Sequence, residues 1–181
     1  MRALLAFLAL FALPAVASTP TYTAAAGSTL GFGASYDGEA FTGRFDRFSA
    51  DIAFDPATAA GRFDVVIELG SAGTDNDERD ETLLGAEFFD AARTPQARYV
   101  ATRFRKLDDG RFVAEGVLTL RGIAKAVPLT FTWTAGAMPV LAGSATVPRL
   151  AFNVGTGDWA DTAVLPDAVS VTTRLVLQPT R

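Results

Sequence analysis

The sequence contains no histidine and no cysteine. Without cysteine there is no disulfide, thiolate nucleophile, iron-sulfur cluster or Cys-ligated zinc, even in an oxidising compartment. Without histidine there is no Ser-His-Asp triad, no imidazole base and no imidazole ligand for haem, copper or zinc. A surplus of positive charge is missing too: 16 Lys and Arg stand against 20 Asp and Glu, with no basic cluster to attract nucleic acid. These absences remove most hydrolase and redox-metal chemistry and leave a chain that packing alone must stabilise.

The N-terminus reads "MRALLAFLALFALPAVAS": one positive charge at Arg2, an apolar run from Ala3 to Leu13, a break at Pro14, then Ala15-Val16-Ala17 in the small-x-small pattern cut by signal peptidase. The pattern predicts a signal peptide over residues 1–17 and a mature domain over residues 18–181. The apolar run is too short for a permanent anchor, and no later segment is long and uncharged enough to replace it. Losing Arg2 leaves 15 basic residues against the 20 acidic ones. The remainder is the size of one ordinary domain with a substantial core.

What is present is strand after strand. In "GRFDVVIELG", Phe63, Val65, Ile67 and Leu69 alternate with Arg62, Asp64, Val66 and Glu68, the period-two signature of a half-buried strand. The rhythm returns with Val127, Leu129, Phe131 and Trp133, and again with Val169, Val171, Leu175 and Leu177, whose face also holds Thr173. Further strands are predicted over Thr29–Tyr36, Phe41–Phe54, Ala97–Leu107, Arg111–Leu120 and Val140–Val154. Asp-Gly pairs in "YDGE" and "LDDGR" predict tight hairpins, and Pro128 predicts an edge, a strand start or a bulge. Only Asp75–Ala86 reads as a helix, a short one capped by an Asp near its start. The predicted fold is all-β: an eight-stranded antiparallel barrel with one short helical insertion, its closure removing exposed edges. A two-sheet sandwich shares the same periodicity.

Acidic residues offer little chemistry. The run from Asp75 to Glu81 lacks the ligand order and turn glycine of a calcium loop, and reads as a solvated helix start. Asp158 and Asp161 in "GTGDWADT" have no partner base in view, so no catalytic residue and no metal ligand is assigned. Trp159 between them suits a rim contact with a ligand or a membrane surface.

Two longer stretches carry a family pattern. "GAEFFDAARTPQARYVATRF" is similar to the Phe-Phe-Asp, spacer, Pro, strand pattern of the YceI-like family, and "EGVLTLRGIAKAVPLTF" to its Gly-x-Leu-Thr-x-Arg-Gly-x-x-Lys-x-Val motif. Ser28, Phe32, Gly43, Phe45, Phe48, Asp55 and Pro56 match upstream, and Arg149, Phe152 and Gly155 match a late Arg-x-x-Phe-x-x-Gly element. Two positions depart from the pattern: Tyr36, where members often carry His, and Pro148, where they often carry Asn. The resemblance implies a lipocalin-like barrel in an exported, periplasmic bacterial protein, holding a long isoprenoid or similar amphiphilic lipid. It implies binding, transport or storage of lipid, and no enzyme.

The candidate ligand-binding residues follow. Phe32, Phe45, Phe54, Phe131 and Trp133 are each explained singly by packing, yet as a set they suit an apolar lining. Leu118 and Phe152 belong to the motif strands and share this expectation. Phe88 and Phe89, adjacent and therefore pointing in different directions, form a lid or a structural plug, one filling the barrel while the other faces elsewhere. Arg121, Lys125 and Arg149 either pair with carboxylates at the barrel end or meet a lipid head group. Small inward residues at Gly33, Ala34, Ala114, Gly116, Gly143 and Ala145 leave room for a tunnel. Strands of about twelve residues, rising about 3.3 Å each at about 40° tilt, give a barrel about 30 Å tall, so a long polyprenyl chain must fold back or protrude. No cofactor is expected beyond a bound isoprenoid or isoprenoid quinone. Partners expected are the lipid, a transient membrane or membrane-redox-protein contact, and a second copy in a homodimer, with a quinone-handling accessory or a filled structural barrel as rival readings.

Overall fold

Residues 19–180 are described by the computed structural model; the expected signal peptide lies outside them. The chain is a meander of antiparallel strands: β1 (Thr21–Ala24), β2 (Thr29–Tyr36), β3 (Glu39–Phe45), β4 (Phe48–Asp55), β5 (Ala60–Glu68), the two-residue β6 (Ala72–Gly73), β7 (Gln96–Lys106), β8 (Phe112–Leu120), β9 (Ile123–Thr134), β10 (Val140–Pro148) and β11 (Ala168–Pro179). Helix α1 (Asp77–Leu84) interrupts the meander between β6 and β7.

The last strand closes the barrel. β11 pairs through Ser170–Arg174 with β2 and through Leu177–Pro179 with β1. β1 in turn pairs with β4, and β2 with β3, so β1–β2 and β3–β4 act as two bent strands. With β6 set aside as a short addition to β3, the result is a closed eight-stranded antiparallel barrel. Closure satisfies the strand edges that an open sheet would leave for aggregation.

Local chemistry accounts for the turns. Asp37 (φ 48°) and Gly38 (φ 79°) make the β2–β3 hairpin, and Gly110 (φ 84°) turns the chain between β7 and β8, as the Asp-Gly pairs predict. The predicted alternation also holds: Phe63, Val65, Ile67 and Leu69 all face the interior space, as do Val169, Val171, Thr173 and Leu175.

Several expectations change. The predicted Phe41–Phe54 strand is broken at Asp46 and Arg47, where Asp46 N–H donates to the carbonyl of Ser71 and the Arg47 carbonyl accepts from Glu68 N–H. β10 stops at Pro148 instead of Val154, because Arg149–Phe152 winds into a 3-10 turn that buries both end residues. Leu150, Phe152 and Val154 alternate like a strand, and the burial of Arg149 overrides that pattern. β1 carries no sequence signal beyond four residues and was not predicted. Helix α1 is capped by Asn76, whose side chain accepts from Arg79 N–H at 2.9 Å, and not by an Asp. Asp80 instead accepts from the backbone and hydroxyl of Thr74. Pro128 sits inside β9 opposite Glu115 of β8, but β10 pairs with β9 only over Thr130–Thr134. Its missing N–H therefore falls where the strand has a ladder partner on one side only.

Candidate functional site

The barrel interior divides into two ends. At one end Phe54, fully buried, is ringed by Phe63, Phe104, Phe112, Phe131 and Trp133, with ring centroids 5.1 to 5.9 Å from its own. Edge-to-face and tilted pairs at this spacing suit the ring quadrupoles and fill the cross-section. This end is a floor.

Above the floor lies a cavity of about 200 Å³. All the strands from β2 to β11 except β6 contribute to its wall, which is almost wholly apolar. Tyr99 is the main polar exception, and its hydroxyl is turned toward the carbonyls of Ala114 (3.2 Å) and Val127 (3.1 Å). Burial pushes the Tyr99 phenol above its ordinary pKa. It stays neutral and behaves as wall. An apolar cavity of roughly 150 Å³ stays dry and holds a benzene-sized molecule, so this space takes about one to two isoprene units without rearrangement.

The expected lining residues separate on this geometry. Phe32, Phe45, Phe88, Phe89, Leu118 and Arg149 border the cavity. Phe54, Phe131 and Trp133 belong to the floor instead. Phe152 is fully buried in the cluster next to the cavity but does not border it. Trp159 stands at the rim, half-buried, with its ring 5.2 Å from that of Phe88 and 5.9 Å from that of Tyr36.

The small residues separate likewise. Ala34 and Ala145 border the cavity. Gly33 pairs with Ser170 on the outer face. At Gly116 a Cβ would collide with the Tyr99 ring, and at Gly143 it would press on Phe131 and Leu129. Those two glycines make room for the protein's own side chains and leave none for a tunnel.

The end opposite the floor is covered by segments that are not strands. After α1 the chain turns through Gly85–Phe89, with Phe88 N–H donating to the Gly85 carbonyl and Phe89 N–H to that of Leu83. The turn aims Phe88 at Trp159 and Phe89 at Phe45, 5.9 Å between centroids. The expectation that only one of the pair plugs the barrel is corrected: their directions diverge, yet both are buried and both reach the cavity.

Polar clasps hold this cover. Arg121 donates through Nη1 to the Phe88 carbonyl. Gly155 N–H donates to the Glu87 carbonyl at 2.7 Å, and Trp159 Nε1 to the Glu87 carboxylate at 2.8 Å. Arg149 organises the loop that brings Gly155 and Trp159 there. Its Nε donates to Pro166 O (3.0 Å), Nη1 to the carbonyls of Val154 (3.0 Å) and Gly155, and Nη2 to those of Trp159 (2.8 Å) and Leu165 (2.6 Å).

A guanidinium has five N–H donors, and five carbonyls occupy them. Burial lowers the Arg149 pKa, with nearby Asp167 opposing the shift. The expected pairing of Arg121 and Arg149 with carboxylates is replaced by hydrogen bonds to backbone carbonyls. Lys125 is exposed. Gly155 (φ 64°) is constrained on two counts, since a Cβ there would also meet Nη1 of Arg149 at 2.6 Å.

Glu87, Leu83, Leu165, Phe41 and Tyr99 are among the site residues that sequence reasoning missed. Glu87 directly precedes the paired phenylalanines, but its partner Trp159 is 72 positions away and nothing local joins them. Among the described residues no group of three or more Asp or Glu side chains is placed to hold a metal, and no helix is long and apolar enough to cross a membrane.

Comparison with known proteins agrees with this architecture. A UPF0312 protein of Vibrio vulnificus is 30% identical over 125 residues, covering 66% of each chain. A UPF0312 protein of Yersinia pestis is 40% identical over 88 residues, 48% of this chain and 45% of that one. The chain thus spans about two thirds or less of the length of these relatives.

Among solved structures, BcnA of Burkholderia cenocepacia superposes with a TM-score of 0.79 at 32% identity, covering 83% of this chain and 96% of that one. A polyisoprenoid binding domain from Saccharophagus degradans shares the fold, with a TM-score of 0.69 at 18% identity over 90% of this chain and 99% of the other. The model of the YceI-like domain matches residues 22–177, from β1 to β11. The chain therefore belongs to the YceI-like family.

Proposed function

We propose that this protein binds an isoprenoid-like amphiphile in the periplasm, tail inward, and carries or stores it without chemical change. The observation that carries this reading is the apolar cavity between an aromatic floor and a clasped, non-strand cover. A tail that buries about 200 Å² of apolar surface gains about 5 kcal/mol at 25 cal/mol per Å² before ordering costs, so burial alone suffices to hold it. The cavity as it stands takes only a short part of a long chain. A longer tail enters when the Gly85–Phe89 turn swings out, which breaks a few hydrogen bonds and leaves the strand ladder intact. The predicted signal peptide and the polyisoprenoid-binding relative support the periplasmic setting and the lipid class. The accessory reading, in which the lipid is a quinone handed to a membrane redox protein, uses the same cavity.

Native mass spectrometry of protein from an exporting host, before and after organic extraction, tests the proposal. The expected spectrum shows a mature chain beginning at Ser18 with an extractable apolar adduct. Chain that consistently carries no adduct, and takes none up from added geranylgeraniol, contradicts it.

A further inference from the structure

A second space lies directly outside the first. It has a volume of about 330 Å³ and sits between the β2–β3 hairpin, α1, the Phe88 turn and the Trp159 loop. Phe41, Leu83, Phe88 and Leu165 border both spaces, so a partition of four apolar side chains is what separates them. The inner space offers almost no polar atom. The outer one adds Asn76, Glu78, Arg79, Thr82, Tyr36 and Trp159. An apolar chamber that opens through an apolar partition into a mixed chamber matches the two parts of an amphiphile.

We propose that this vestibule receives the head group of the bound lipid, and that it selects an uncharged, oxygen-bearing head such as a hydroxyl or ring carbonyl over a phosphate or diphosphate. The proposal rests on the lipid-binding reading and adds the chemistry of the head.

The charge around the vestibule decides the choice. Arg79 is the cation in its lining; its guanidinium lies over the Phe41 ring at 4.4 Å and its Nε donates to Thr74 Oγ1 at 2.9 Å. Glu78 lines the same space and offsets that charge. Glu87 sits at the rim, held by Trp159. Exposed carboxylates at Asp37, Asp77, Glu81, Asp158 and Asp161 occupy the hairpin tip, the helix and the loop that form the mouth.

Arg121 and Arg149 stand outside this lining, bonded to the Phe88 carbonyl and to five loop carbonyls. A diphosphate entering here meets a single guanidinium against Glu78 in the lining and the carboxylates of the mouth, and so net repulsion. A neutral head meets the Tyr36 hydroxyl, the Asn76 side-chain NH2 and the Thr82 hydroxyl oxygen, with the Trp159 and Phe88 rings to stack against. The Asn76 Oδ1 caps α1, and the Thr82 hydroxyl proton goes to the Glu78 carbonyl.

The test uses two probes with one tail, geranylgeraniol and geranylgeranyl diphosphate, titrated into protein purified from the exporting host and stripped of lipid. At low salt the alcohol is expected to bind about ten-fold more tightly than the diphosphate, and the gap to narrow as salt screens the rim. Glu78→Lys is expected to move the ratio of the two affinities by about ten-fold toward the diphosphate. Because both probes meet the same preparation, the ratio is insensitive to a partly unfolded variant.

Equal or tighter diphosphate binding at low salt overturns the proposal, and so does a ratio that Glu78→Lys leaves unchanged. In either case the lipid-binding reading survives if the alcohol still binds. Failure of both probes to bind overturns that reading and the vestibule with it.

Discussion

The two ends of the barrel use the same residue type to opposite effect. At the floor, Phe54, Phe63, Phe112 and Phe131 stand on regular strands and contact one another ring to ring, so no polar group is needed to hold them. At the mouth, Phe88 and Phe89 stand on a turn, and side-chain hydrogen bonds from Arg121 and Trp159, with a backbone bond from Gly155, keep that turn in place. A ladder-held floor opens only if the barrel unfolds. A clasped cover opens by breaking a handful of hydrogen bonds, each worth about 0.5–1.5 kcal/mol net. Burial alone does not distinguish lining from plug; the element that carries the side chain does.

The largest expected effect breaks the floor. Phe54→Ala should cost about 3–5 kcal/mol, because it opens a void among five ring neighbours, whereas Phe88→Ala beside an existing cavity should cost less and weaken lipid retention more. Thermal unfolding and lipid retention measured on both variants check the crossing of the two effects; equal losses in both assays would erase the distinction.

Arg149→Met comes next. Leaving several buried carbonyls without a donor should cost about 3 kcal/mol, seen as a lower midpoint in chemical denaturation. A head-group role would instead leave stability intact and remove ligand.

A smaller effect is expected at Glu87. Glu87→Gln keeps the backbone bond to Gly155 and replaces the carboxylate acceptor of Trp159 Nε1 by a neutral one, costing about 0.5–1 kcal/mol. Faster release of bound lipid at nearly unchanged melting temperature is the predicted result.

The smallest effect is electrostatic and lies on the outer wall. Hydrogen bonds from Arg98, and then from Arg62, hold the Asp64 carboxyl down to about 2, against an ordinary value of 3.8. A depressed carboxylate contributes stability above its unfolded value and loses it as pH falls through the folded one. The contribution should therefore fade between about pH 4 and pH 2, and Asp64→Asn should flatten that part of an acid-denaturation curve.

Much of the barrel was legible in the sequence, because period-two alternation survives wherever one strand face is buried. Phe63 to Leu69 and Val169 to Leu175 read correctly for that reason. The helix read to within two residues at each end, although its cap proved to be Asn76.

The site was legible only in part. Phe131 and Trp133 alternate inward just as Leu118 and Leu129 do, and periodicity carries no height along the barrel, so floor and wall look alike in the sequence. The role of Arg149 was hidden for another reason: its partners are carbonyls, which every residue carries. Gly116 reads as vacant space until the Tyr99 ring that fills it is seen.

Ala145 gives the most direct access to the space above the floor, where the apolar tail is proposed to lie. Ala145 is a small inward residue of β10 that borders the cavity. Geranylgeraniol affinity and melting temperature should be measured together on Ala145→Phe. The ring should fill the cavity, so that binding is lost while the melting temperature holds or rises. Undiminished binding by a folded Ala145→Phe protein would place the tail outside this cavity.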